Sequence, residues 1–98
     1  MTNTYAILRR GGWETADELE HAGELSAREG ERMIEQVSWI RSYVLVEPDG
    51  SLGTICIYEA SSPEAIRKHA ERAGLPVDEI VAVADVFVVR PDPVALAA

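Results

Sequence analysis

The stretch VSWIRSYVLVEPDGSLGTICIYEA, residues 37–60, decides the architecture. Its two arms are rich in β-branched and aromatic residues, and Pro48, Asp49, Gly50 and Ser51 between them make a turn, with proline presetting φ and Asp-Gly reversing the chain. The stretch is a β-hairpin. Working outward to the C-terminal side, Ser62 as N-cap and Pro63 at the first helical position open a helix, which Gly74 and then Pro76 close. The core stripe of that helix is Ile66, Ala70 and Ala73. EIVAVADVFVVR, residues 79–90, reads as a last strand ended by Pro91, Asp92 and Pro93. On the N-terminal side TYAILRR, residues 4–10, reads as a first strand ended by Gly11 and Gly12. Thr15 and Glu18 then have the spacing of a capping box and start an acidic helix over about residues 15–34. Gly23 and Gly30 each cost that helix roughly 1 kcal/mol relative to alanine, and Ser26 to Glu29 has the spacing of a second capping box after a break.

The order βαββαβ is an α+β, ferredoxin-like arrangement, a four-stranded antiparallel sheet with both helices on one face. The 98 residues suit a single domain spanning 1–98, with a loose tail from about 91 to 98. A net charge of −8 with no cluster of Lys or Arg excludes nucleic acid and anionic membrane as partners, since an acidic surface repels both. Cys56 stands alone and so makes no internal disulfide, and the chain shows neither a signal peptide nor an apolar run of bilayer length. A cytoplasmic protein is expected.

Strand alternation sorts the hairpin side chains into two sets. Ile40, Val44, Val46, Ile55 and Ile57 are expected to pack on the helices, leaving Trp39, Arg41, Tyr43, Leu45, Thr54, Cys56 and Tyr58 on the open face. An aromatic face with no helix over it needs a cover, and a second copy of the same sheet supplies one, so a homodimer through the open face is expected. Trp39, Arg41, Tyr43, Cys56 and Tyr58 are also the candidate ligand-binding set, an apolar wall with a few polar groups; the same composition suits a dimer interface alone.

Cys56, Glu59 and His69 form a second candidate, since thiolate, carboxylate and imidazole together suit nickel or zinc. Strand parity sets Cys56 away from the helix that carries His69, unless a bulge or a partner subunit intervenes; the alternative places His69 on the helix surface and Cys56 as a small hydrophobe. Asp17, His21 and Glu24 line one face of the acidic helix and form a third set with oxygen and imidazole donors. No histidine stands with Ser or Cys at a catalytic spacing and no glycine loop is built for phosphate, so no catalytic residue is assigned.

The segments WIRSYV (39–44), CIYEASSPEAIRKHAERAGLP (56–76) and EIVAVADVFVVRP (79–91) resemble a family of small actinobacterial-type domains of largely unknown function, one branch of which is a nickel-binding, ferredoxin-like homodimer. The resemblance implies the fold and the dimer, and it implies nickel or another divalent metal as the cofactor, with His69, Cys56 and Glu59 the matching positions. The acidic first helix with its glycines matches the family pattern least. Three readings follow: a homodimer that binds a divalent metal or small ligand; a cofactor-independent oxygenase or isomerase with its cavity on the open sheet face, where Arg41 orients an anionic group; and an interaction module without ligand.

Overall fold

The computed structural model describes residues 2–93. The chain runs β1 (Asn3–Trp13), α1 (Ala16–Arg32), β2 (Val37–Val46), β3 (Leu52–Ala60), α2 (Pro63–Ala73) and β4 (Glu79–Ala82). The strands form one antiparallel sheet in the order β2-β3-β1-β4, the ferredoxin-like α+β fold. No helix of the described residues is long and apolar enough to cross a membrane.

The local signals act where the sequence places them. Thr15 caps α1 by accepting from the Glu18 amide at 3.2 Å, while the Glu18 carboxylate accepts from the Glu14 amide at 2.8 Å. Ser62 caps α2 through the Ala65 amide, and Gly74 ends it at φ 68°, a left-handed conformation that costs glycine little. In the hairpin turn Asp49 accepts from the amide and the hydroxyl of Ser51.

Three expected boundaries move. β1 continues through Gly11 and Gly12 to Trp13, with its register shifted between Arg9 and Trp13. This irregularity relies on Gly53 of β3, where an added Cβ would stand 2.6 Å from the Arg9 carbonyl oxygen. α1 is unbroken across Gly23 and Gly30, because tertiary packing offsets their weak propensity. The last strand is far shorter than residues 79–90: β4 pairs with β1 only over Tyr5 to Leu8, the Val83 amide makes a final bond to the Thr4 carbonyl, and β1 itself begins at Asn3. Beyond Val83 the described residues, up to 93, make no pairing with β1. The expected loose tail falls outside the described residues from 94 onward. In its described part Asp92 accepts from Arg41 Nη1 at 2.9 Å and the Tyr43 hydroxyl at 2.8 Å, so the arm from β4 at one edge of the sheet reaches β2 at the other.

The core lies between sheet and helices and reverses the expected facing of β3 and of Trp39, whereas Val44 faces the helices and Arg41 and Tyr43 the open side as expected. Tyr5, Ile7, Val37, Cys56 and Tyr58 are buried there with Met33, Ala65 and Ile66. Ile55 and Ile57, expected inward, belong to the other face. The helices carry small residues on their inner sides, with Ala65, Ala70, Ala73 and Ser26 buried. Small helix residues leave depth beneath them, which a close-packed interior fills with the bulky tyrosines of the sheet.

Candidate functional site

A β-bulge in β2 organises the site. Trp39 pairs with Tyr58 and Arg41 with Ile57, so Ile40 is the extra residue. A bulge shifts the side-chain alternation by one, and everything beyond it changes face. Trp39 therefore lies on the helix side, stacked at 6.3 Å and 12° on Tyr58, whereas Arg41 and Tyr43 lie on the open side. Trp39 Nε1 donates to Ser42 Oγ at 2.8 Å, a contact between residues three apart that an unbulged strand would hold on opposite faces.

The expected ligand set is thus divided. Trp39, Cys56 and Tyr58 sit under the helices, while Arg41 and Tyr43 engage Asp92 on the opposite face. A cavity of about 170 Å³ does exist, but between the sheet and α1 rather than on the open face. The strand register builds its floor in rows. Tyr58 stands beside Trp39, Cys56 beside Ser42, and Thr54 beside both Val44 and Arg9. Leu19, Ala22, Gly23 and Ser26 of α1 roof it, and Trp13 and Leu75 complete the wall. At the edge strand β2 the lining residues Trp39 and Val44 remain 41% and 55% exposed, whereas Arg9, two strands inward on β1, is 1% exposed. The cavity thus runs from an accessible edge to a buried cation.

Arg9 is the residue that sequence reasoning passed over. Its neighbour Arg10 pairs with Glu47 at 2.9 Å on the surface, but among the described residues no carboxylate pairs with Arg9. Arg9 Nη1 donates to the Pro76 carbonyl at 2.6 Å, and Nη2 is buried without a partner. The signal available in the sequence was parity, since Tyr5, Ile7 and Arg9 alternate onto one face.

A short polar network lies against the cavity. Ser26 Oγ and the Tyr58 hydroxyl are hydrogen-bonded at 3.1 Å, and the Ser26 carbonyl accepts from His69 Nε2 at 2.9 Å. Burial pushes the Tyr58 phenol above its ordinary range, with the Ser26 bond and the adjacent Arg9 guanidinium opposing, so it keeps its proton. His69 is wholly buried rather than on the helix surface. Burial lowers its pKa; the bond to Ser26 opposes this and the charge of Arg9 adds to it. The imidazole is therefore neutral, with its proton on Nε2 and a lone pair on Nδ1 that has no partner.

The metal candidates can be placed in the same frame. Cys56 and His69 share the helix side, which corrects the parity objection, but the Cys56 thiol donates to Thr54 Oγ1 at 3.4 Å and Glu59 is exposed on the opposite face. Asp17, His21 and Glu24 are exposed on an unbroken α1. Among the described residues no three of His, Cys, Asp and Glu gather closely enough to hold an ion. Buried Nδ1 of His69 is a suitable single donor, but Cys56, Glu59 and His69 do not fit one nickel ion within a subunit.

A family model described as nickel responsive protein SCO4226-like matches residues 5–83. The chain belongs to this SCO4226-like family. The crystal structure of SCO4226 from Streptomyces coelicolor A3(2) is similar at 27% identity and a TM-score of 0.64, covering 86% of this chain and 99% of that one. A C-terminal domain of an ABC transporter ATP-binding protein from Enterococcus faecalis aligns at 16% identity and a TM-score of 0.37, covering 86% of each chain. No match is found among curated proteins. Membership in the SCO4226-like family connects this chain with nickel responsiveness, and the matched residues 5–83 include Arg9, the bulge and both helices.

Proposed function

We propose that this member of the SCO4226-like family is a homodimeric binding protein, each subunit holding a small ligand between its sheet and helices. The observation that carries the reading is the cavity of about 170 Å³, apolar over most of its lining and leading from the β2 edge to buried Arg9. An engineered cavity of about 150 Å³ holds benzene, so the space suits a molecule with a single ring or a short branched chain. The dimer forms through the open sheet face. Leu8, Ile55 and Ile57 lie there without a helix above them, and the arm beyond β4 carries Val86 and Phe87 at 65% and 92% exposure. Apolar surface of this kind, continuous with an open sheet, is what a second copy covers. The cytoplasm is the compartment that keeps a buried thiol such as Cys56 free.

Nickel binding is the second reading, and family membership favours it. It calls for donors in addition to Cys56 and His69, because within one subunit those two lie inside and Glu59 outside. Native mass spectrometry of untagged protein tests both readings together. The first predicts a two-chain mass with a small organic adduct, and the second a nickel adduct that His69→Ala and Cys56→Ser remove. A single-chain mass without any adduct, together with no response to added nickel, would contradict both.

A further inference from the structure

Arg9 is a cation held at 1% exposure, with one guanidinium nitrogen unpartnered and no carboxylate paired with it among the described residues. A buried charge is costly unless something opposite pairs with it. Arg9 is among the residues lining the cavity, and its unpartnered Nη2, closed to solvent as it stands, reaches that space when the guanidinium turns toward it. Thr54, directly opposite Arg9 in the register, also lines the cavity, and its Oγ1 accepts from the Cys56 thiol, which leaves the hydroxyl proton free to donate. A guanidinium and a hydroxyl side by side form a receptor for two oxygens of one anion.

We propose that the ligand is a small organic carboxylate, its anionic group paired with Arg9 and Thr54 and its apolar body lying across Tyr58 and Trp39 toward the β2 edge. This rests on the reading that the cavity holds a ligand, and it adds the ligand's chemical class. The charge count favours a carboxylate over a phosphate ester: the lining offers one cation, and a dianion would bring a second charge into an apolar space. The size favours a single ring or a branched chain of similar bulk. The neighbouring polar groups are compatible with an anion, because His69 is neutral and the Tyr58 phenol keeps its proton.

The test is isothermal titration of the full chain with benzoate, benzamide and chloride at neutral pH, on wild type, Arg9→Lys and Arg9→Met. Benzoate is expected to bind about tenfold or more tighter than the neutral isostere benzamide, since the difference is one charge-assisted hydrogen-bonded contact. Arg9→Lys should keep a preference for benzoate, and Arg9→Met should lose it, while without ligand its lost bond to the Pro76 carbonyl is offset by the removal of a buried charge that no carboxylate pairs among the described residues. If Arg9→Met does not fold, the benzoate-to-benzamide ratio in wild type decides alone. Equal binding of the two ring compounds would overturn the carboxylate anchor and leave the cavity reading intact. Binding of neither would overturn both. Chloride competing with benzoate at equal concentration would overturn the role given to the apolar body.

Discussion

Toward the helices the sheet presents Tyr5, Ile7, Cys56 and Tyr58, while away from them it presents Leu8, Ile55, Ile57 and Tyr43. By side-chain hydropathy alone the second set is the better core, yet the first set is buried. Volume explains the choice. Ser26, Ala65, Ala70 and Ala73 on the inner helix faces leave space for large planar rings, and Ser26 gives the Tyr58 hydroxyl its partner, removing the cost of burying it. The helix side is therefore completed within one chain, apart from the cavity that runs from the β2 edge to Arg9. The open side, with Ile55 and Ile57 bare of helices, is completed by a second copy in the function proposed above.

Two tyrosines separate the faces most sharply. Tyr58→Asp sets a carboxylate at 1% exposure between Trp39 and Ser26, and should cost about 4 kcal/mol or more, enough to leave the chain unfolded or insoluble. Tyr43→Asp changes a side chain 41% exposed, and should keep a folded subunit while shifting the mass in sedimentation from two chains to one. If both variants behave alike, the two faces are not distinct in the way described. Deleting Ile40 attacks the bulge itself. Without it Trp39 and Arg41 become neighbours, which regular alternation holds on opposite faces as the bulge does, so the register and both faces are kept and a loss of no more than about 1.5 kcal/mol is expected in urea unfolding. A loss of several kcal/mol in that deletion would contradict the assignment of Ile40 as the extra residue.

His69 provides a titration of the helix side. Its folded pKa lies below the unfolded value of about 6.5, so the unfolded chain takes up the proton first. Stability is full above about pH 6.5 and is lost as pH falls below it toward the folded pKa, with a slope of at most about 1.4 kcal/mol per pH unit. Arg9, Tyr58 and the more distant Glu29 are the charged or titratable groups that act on this imidazole or lie against it. Urea midpoints measured between pH 7.5 and 5.5 should fall in wild type and stay nearly level in His69→Gln. A wild-type profile as flat as the variant's would contradict the burial of a neutral His69. Smaller still, Ser26→Ala removes a partner of Tyr58 and should lower stability by about 1 kcal/mol in the same assay.

The order of elements and their ends was legible because each signal is local. Thr15, Ser62, Pro63 and Gly74 act within a turn of where they stand. The facing of β3 and of Trp39 was not legible, because it depends on the size of residues on helices far away in sequence and on a bulge at Ile40 that no turn residue announces; Val44, Arg41 and Tyr43, beyond the bulge, face as alternation placed them. The length of the last strand was hidden for a similar reason. Residues 83–90 are apolar enough for a strand, but the pairing of β4 with β1 stops at Tyr5 and Ala82. Of the expected ligand set, Trp39, Cys56 and Tyr58 line the cavity, while Arg41 and Tyr43 were placed with them by an alternation that the bulge interrupts.

The separation of the two faces is tested most directly by titrating benzoate into the Tyr43→Asp protein and following tryptophan fluorescence from Trp13 and Trp39, which both line the cavity. The cavity belongs to a single subunit and lies across the sheet from Tyr43, so the predicted result is a one-chain species that binds benzoate with wild-type affinity. A variant that loses benzoate binding together with the second copy would contradict the account, because the ligand site would then depend on the face assigned to the partner.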